Sequence, residues 1–203
     1  MRRPKLELCA IAVTAVLFQI FESGLGLKGP FLLGAVVVWG GYLATRLRAE
    51  SGLWNEWGLG RRGLGPATRI CGGLLLVGIA ALTTWRLAFG WQGLPVTALV
   101  IFALYPVWSF VQQFVLQILV VRNLDLLGAP RAAVVMLGAL GFGAAHYPDL
   151  PLSGICAGIG LLWVPIYLRT RNLWPLSLCH AWLGALTYYW VLERDPWTAI
   201  FPG

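Results

Sequence analysis

Residues 95–121 form one apolar run without a single charged side chain. About 20 such residues, wound as a helix, span the hydrocarbon of a bilayer. In lipid the backbone polar groups must be satisfied internally, so only helices and closed barrels can span. Long uncharged runs recur along the 203 residues. The chain is 59% hydrophobic and 11% charged, where a soluble domain carries roughly 25% charge. An all-α polytopic membrane protein is expected, forming one domain over 1–203 without a linker.

About seven transmembrane helices are expected, near 6–26, 30–45, 70–91, 95–121, 131–146, 152–168 and 173–192. Pro106 should kink the fourth, and Arg86 should snorkel from the end of the third. The basic residues alternate from loop to loop. Arg2, Arg3, Lys5, Arg46, Arg48, Arg61, Arg62, Arg69, Arg122, Arg131, Arg169 and Arg171 fall on one side, Lys28 and Arg194 on the other. The positive-inside rule then places the N-terminus in the cytoplasm and the C-terminus outside. The first run is read as a retained span rather than a cleaved signal. Between the second and third spans, Trp54 and Trp57 suit the headgroup belt, and Arg61 and Arg62 suit anionic lipid, so a short interfacial segment is expected there. The net charge of +7 belongs to helix ends and membrane lipids and does not point to nucleic acid. Cys9, Cys71, Cys156 and Cys179 have no CxxC spacing and read as free thiols.

Three glutamines interrupt the fourth run. Gln113 and Gln117 are i,i+4 neighbours and share a helix face, with Gln112 about 100° away. Amides in hydrocarbon need partners, so this ladder is either interhelical glue or the remains of a site. The two histidines, His146 and His180, also fall in or at the ends of spans, where ionisable residues are functional candidates. By helical rise, Gln112 and His180 lie about 15 Å and about 14 Å from the basic edge, and His146 about 22 Å. All eight carboxylates lie near helix ends or in loops. A neutral Gln cannot take a proton from water and is a weak metal ligand. Asp149, three residues after His146, reads as a turn or helix cap, with a role as base the alternative. Gly154 and Gly158 read as close helix packing rather than dimerisation. Trp108 and Trp182 read as core filling, with the wall of a lipid cavity the alternative.

Three blocks in order resemble the CPBP intramembrane metalloprotease family, which includes the CAAX prenyl proteases. WSFVQQFVLQ stands where that family has EExxxR. GFGAAHYPDLPL carries its FxxxH as Phe142 and His146. YLRTRNLWPLSLCHAWLG resembles its third block, with His180 followed by Gly184 where the family has Asn or a similar residue. WNEWGLGRR is similar to the segment that precedes the family's core, which gives a core of about 54–190. The resemblance implies a helical bundle in which a glutamate and two histidines, with zinc, activate water for proteolysis. Here His146 and His180 remain at the catalytic and metal positions, while Gln112, Gln113 and Gln117 replace both glutamates and the arginine. Two histidines without a carboxylate would hold metal weakly, so no cofactor is expected unless the chain is active, when zinc is. The three replacements remove every charge together while keeping hydrogen-bonding groups, which avoids stranding an arginine in lipid.

The expected function is that of an inactive pseudoprotease binding a partner's transmembrane helix or a lipid. A divergent peptidase using His146 and His180, or a structural subunit of a larger membrane complex, are the alternatives. Composition and charge pattern fit a bacterial inner (plasma) membrane.

Overall fold

The computed structural model describes residues 3–200, apart from the side chains of Ser23, Lys28, Ala199 and Ile200. Every regular element among them is helical: α1 (Pro4–Gln19), α2 (Lys28–Ala49), α3 (Leu53–Glu56), α4 (Leu64–Ala88), α5 (Ala98–Phe114), α6 (Arg122–Leu126), α7 (Arg131–Ala144), α8 (Leu150–Thr170), α9 (Trp174–Trp190) and α10 (Pro196–Ile200). α1 runs into a π-helical turn, Ile20–Gly24, and a second one, Val115–Val121, joins α5 to α6. The fold is that of an all-α membrane protein. Five segments are long and apolar enough to cross a bilayer: Pro4–Glu22, Gly29–Ala49, Leu64–Ala88, Ala98–Leu126 and Leu150–Thr170. α7 is a shorter apolar helix, and α9 has 17 residues. Arg2, part of the charge argument, lies outside the described residues.

Prolines start several helices. Pro4, Pro151 and Pro175 sit in first turns, where the missing N–H is no loss. Asp149 caps α8, accepting from the Leu152 amide at 3.3 Å. Pro106 is carried within α5, and the departure from α-helical bonding comes later, at Val115–Val121. That turn is almost wholly buried, through Leu116, Gln117, Ile118, Leu119 and Val121.

α9 is the inner helix. It packs against α4 and α5, and it is buried on several faces, from Leu176 and Cys179 to Leu183 and Tyr189. α7 and α8 approach closely through Gly138, Gly143 and Gly160. A methyl on Gly160 would come within 2.8 Å of Ala139 Cα, and one on Gly143 within 2.7 Å of the Ser153 carbonyl oxygen. Small residues at such crossings let dispersion contacts replace the hydrophobic drive that lipid does not supply. Gly154 and Gly158, expected to serve this purpose, have nothing within 4 Å.

Several charged and aromatic residues depart from expectation because the bundle offers them partners. Arg86 does not snorkel: it is 2% exposed and donates to Glu193 at 2.8 Å. Trp54 is exposed, but Trp57 is buried and packs edge to face on Phe114 at 5.3 Å. Trp108 and Trp182 lie on the outer surface rather than in the core. Of the cysteines, which are all free thiols, Cys9 is exposed and the other three are buried.

α1 is latched by one carboxylate. Glu7, 3% exposed, accepts from Arg46 Nη1 at 2.5 Å and from the Tyr42 hydroxyl at 2.8 Å, both on α2. Its other oxygen accepts from Asn123 Nδ2 of α6 at 2.8 Å. Removing one partner of a buried ion pair costs about 3 kcal/mol or more. Glu7→Ala is therefore expected to lower the unfolding free energy in mixed micelles by about that amount, and Tyr42→Phe by only about 1 kcal/mol. Equal effects of the two would show that the charge is not what holds α1.

Candidate functional site

Tyr105, Ser109, Gln113 and Gln117 follow one another at i+4 along α5 and the turn after it, so they share one stripe. The stripe faces α9. The Ser109 hydroxyl donates to the Ser177 carbonyl at 2.8 Å. Gln113 Nε2 meets His180 Nδ1 at 3.0 Å. Gln117 Nε2 donates to Gln113 Oε1, also at 3.0 Å. Gln113 and Gln117 are fully buried. The ladder is therefore a wire of three side chains that joins α5 to α9 and contains no charge. Gln112 is not part of it, for it lies around the helix, and its buried Oε1 has no partner. Gln117 Oε1 is likewise without one.

This order of bonds sets a tautomer. With its oxygen taken by Gln117, Gln113 presents its NH₂ to His180. His180 Nδ1 must accept, which puts the ring proton on Nε2. Three aromatic rings surround the imidazole, with centroids at 5.5 Å for Phe142, 6.2 Å for Tyr105 and 6.3 Å for Trp163.

His146 has other surroundings. It follows the end of α7 and lines a cavity of about 680 Å³ with Phe18, Glu22, Asp149, Tyr188 and Arg194. Its Nδ1 donates to the Phe142 carbonyl at 2.8 Å. Phe142 stands nearly perpendicular to both imidazoles, with its centroid 5.2 Å from that of His146. The extra depth counted along the sequence for His146 reappears here as a position at the end of the helix, beside the cavity rather than in the ladder.

Gly184 is filled from outside. A methyl there would lie 3.2 Å from Tyr105 Cε1 and 3.5 Å from His180 Cδ2. The Tyr105 ring thus occupies the room that a side chain at 184 would need. Asp149 is committed as well. One oxygen caps α8, and the Arg194 guanidinium binds both. That guanidinium holds the Asp149 carboxyl below its usual range.

Do these residues fit a catalytic zinc? A histidine ligand offers a lone pair and donates its other N–H to an acceptor. His146 donates its Nδ1–H to a carbonyl in that way. His180 is bonded in the opposite sense, with its lone pair spent on Gln113. Among the described residues no three His, Cys, Asp or Glu side chains form a ligand group, where catalytic zinc has three protein ligands. The donor set as bonded does not fit the metal.

A buried, uncharged His–Gln wire within a helical membrane bundle defines the class of site. Residues 92–186 match the family described as "Type II CAAX prenyl endopeptidase Rce1-like". Over that stretch, a little under half of the chain, it is similar to the Rce1-like CAAX protease family. No curated protein and no solved structure matches it. The stretch contains the ladder, Phe142, His146, His180 and Gly184. α1, α2 and the loop before α4 lie outside it.

Tyr105 and Trp163 were not singled out as site residues from the sequence. For Tyr105 the signal was present in the i+4 series with Ser109 and Gln113. Trp163 lies in an apolar helix with nothing local to mark it.

Two outcomes follow from this packing. Gly184→Asn should destabilise the fold through the Tyr105 clash, by about 1–3 kcal/mol, and Tyr105→Ala should relieve most of that loss in the double variant. Additive losses would show that the ring and the glycine are independent. The second outcome concerns acid. Because the folded Asp149 carboxyl lies below its usual value of about 3.8, its contact with Arg194 stabilises above that pH and is lost as pH falls through the depressed value. Amide exchange in 193–198 should therefore accelerate on acidification below about pH 4. In Asp149→Asn that step should be missing.

Proposed function

We propose that this protein is a proteolytically inactive member of the CAAX protease family, which holds a partner's transmembrane helix or a lipid without cutting it. The observation that carries this reading is the Gln113–His180 bond within a ladder free of charge. Water activation needs a general base of suitable pKa or a metal. At this site amides stand where a base would act, and His180 holds its lone pair toward Gln113. Asp149 is tied to Arg194. The aromatic rings and the Tyr105 plug leave the ladder a structural joint between α5 and α9. The alternation of basic residues supports a seven-span topology with the N-terminus in the cytoplasm, the absence of a linker supports one domain over 1–203, and composition with the charge pattern supports a bacterial inner membrane. Membership of a larger complex is the same reading with a fixed partner.

His146, whose ring lines the cavity, favours a divergent peptidase. The two readings separate on purified protein in lipid nanodiscs. No cleavage of prenylated C-terminal peptides is expected, and zinc well below one per chain. Cleavage that His180→Ala abolishes would overturn the proposal. A partner retained through purification from native membranes would support it.

The tautomer can be read directly. Nitrogen-15 shifts should place the His180 proton on Nε2. Gln113→Glu, which replaces the donor with an acceptor, should move it to Nδ1. An Nδ1 proton in the unaltered protein would mean that the ladder runs the other way.

A further inference from the structure

At the end of the bundle where α4 begins and α8 ends, the chain builds a second feature unrelated to the histidines. The loop Gly58–Gly63 is welded to the α8–α9 connection. Asn172, 0% exposed, donates through Nδ2 to the Gly60 carbonyl at 2.8 Å and the Arg62 carbonyl at 3.0 Å. The Leu173 amide donates to Gly58 at 3.0 Å, and the Trp174 indole N–H to Leu59 at 2.9 Å. The two backbones also approach each other directly. A methyl on Gly58 would come within 2.7 Å of the Arg171 carbonyl oxygen, and one on Gly63 would strike that of Thr170. Both glycines have φ near 72°, which L side chains rarely adopt.

This weld fixes a set of charges. Arg61 and Arg62 leave the loop into solvent, and Arg169 is exposed one residue before the Thr170 that touches Gly63. All three are without a carboxylate partner among the described residues, whereas Arg46, Arg86, Arg122, Arg171 and Arg194 are all paired. The Trp174 ring beside them is 43% exposed and stacked on Phe110 at 4.9 Å. An amphipathic ring of this kind marks headgroup depth.

We propose that Arg61, Arg62 and Arg169 form a preorganised site for the phosphodiester headgroup of an anionic membrane lipid. Guanidinium forks pair with phosphate oxygens. Holding the loop in place beforehand removes an ordering cost that a flexible basic segment would bear on binding. The charge is complementary to anionic lipid, and the Trp174 ring offers the adjoining acyl chains an apolar contact. The inference is independent of whether the histidine site cleaves anything.

The test uses the full chain in nanodiscs of zwitterionic lipid doped with phosphatidylglycerol, with bound lipid counted by native mass spectrometry. Arg61→Gln, Arg62→Gln and Arg169→Gln together should weaken phosphatidylglycerol retention about tenfold or more. Arg48→Gln with Arg131→Gln, equally exposed and unpaired but away from the weld, should change it less than about twofold. Asn172→Ala, with every charge kept, should weaken it too, which separates a built site from diffuse attraction. Since all five arginines are exposed, the comparison among them survives even if Asn172→Ala fails to fold. Equal losses in the two arginine sets, or none in the first, would overturn the proposal. So would displacement of the lipid by millimolar inorganic phosphate or by an acidic peptide, which would reassign the site to a soluble anion or a protein segment.

Discussion

Inside a bilayer a polar group has no water to fall back on, and this constraint explains most of the bundle's order. The site consists of side chains that solve one another's problem. Gln117 needs an acceptor and takes Gln113. Gln113, its oxygen spent, turns its amide to His180. Ser109 finds the Ser177 carbonyl. Each solution crosses from α5 to α9 or supports one that does, so the polar groups and the helix pair fix each other's register. Glu7 does the same at one end of α1, where one carboxylate gathers groups from α2 and α6.

The helices were legible in the sequence because their lengths are set by hydrocarbon thickness and their ends by glycine, proline and charge. Each of the seven expected spans falls on a helix, although only five are long and apolar enough to cross by that measure alone. The Gln113–Gln117 pairing was legible from spacing. That His180 belongs with the ladder was legible only through a resemblance between blocks far apart in the chain, and the bond itself was not. What could not be read was which residues face inward. Trp57 and Trp54 are three apart and alike in composition, yet one is buried and the other exposed, because Phe114 offers a face to only one. Arg86 could be placed at a helix end, but not beside Glu193, 107 positions away. Gly160 rather than Gly154 or Gly158 meets a neighbouring helix. Periodicity supplies candidate faces, and long-range packing chooses among them.

The two ends of the molecule differ in construction. Where α4 starts, the loops are rigid, with Asn172 and the Gly58–Gly63 backbone locked together and their arginines turned outward. At the other end the α7–α8 connection, the π-helical turn of α1 and the segment after α9 surround a cavity, and the contacts run through side chains, Asp149 to Arg194 and the Gln19 amide to the Tyr147 carbonyl. The weld adds to its side-chain bonds a direct approach of two backbones at Gly58 and Gly63, which the cavity end lacks among the contacts described.

The ring of Tyr105 under Gly184 bears on reversibility. A glutamate introduced alone at Gln112 or Gln113 would bring a charge into lipid without its arginine. An arginine introduced alone at Gln117 would be stranded in the same way. An amide at 184 would meet an occupied space. Every single replacement toward the charged motif is therefore uphill, whichever is taken first. Epistasis of this kind works as a ratchet. Stepwise mutation toward the family's charged motif has a barrier to cross, and an engineer would have to change the ladder and its plug together.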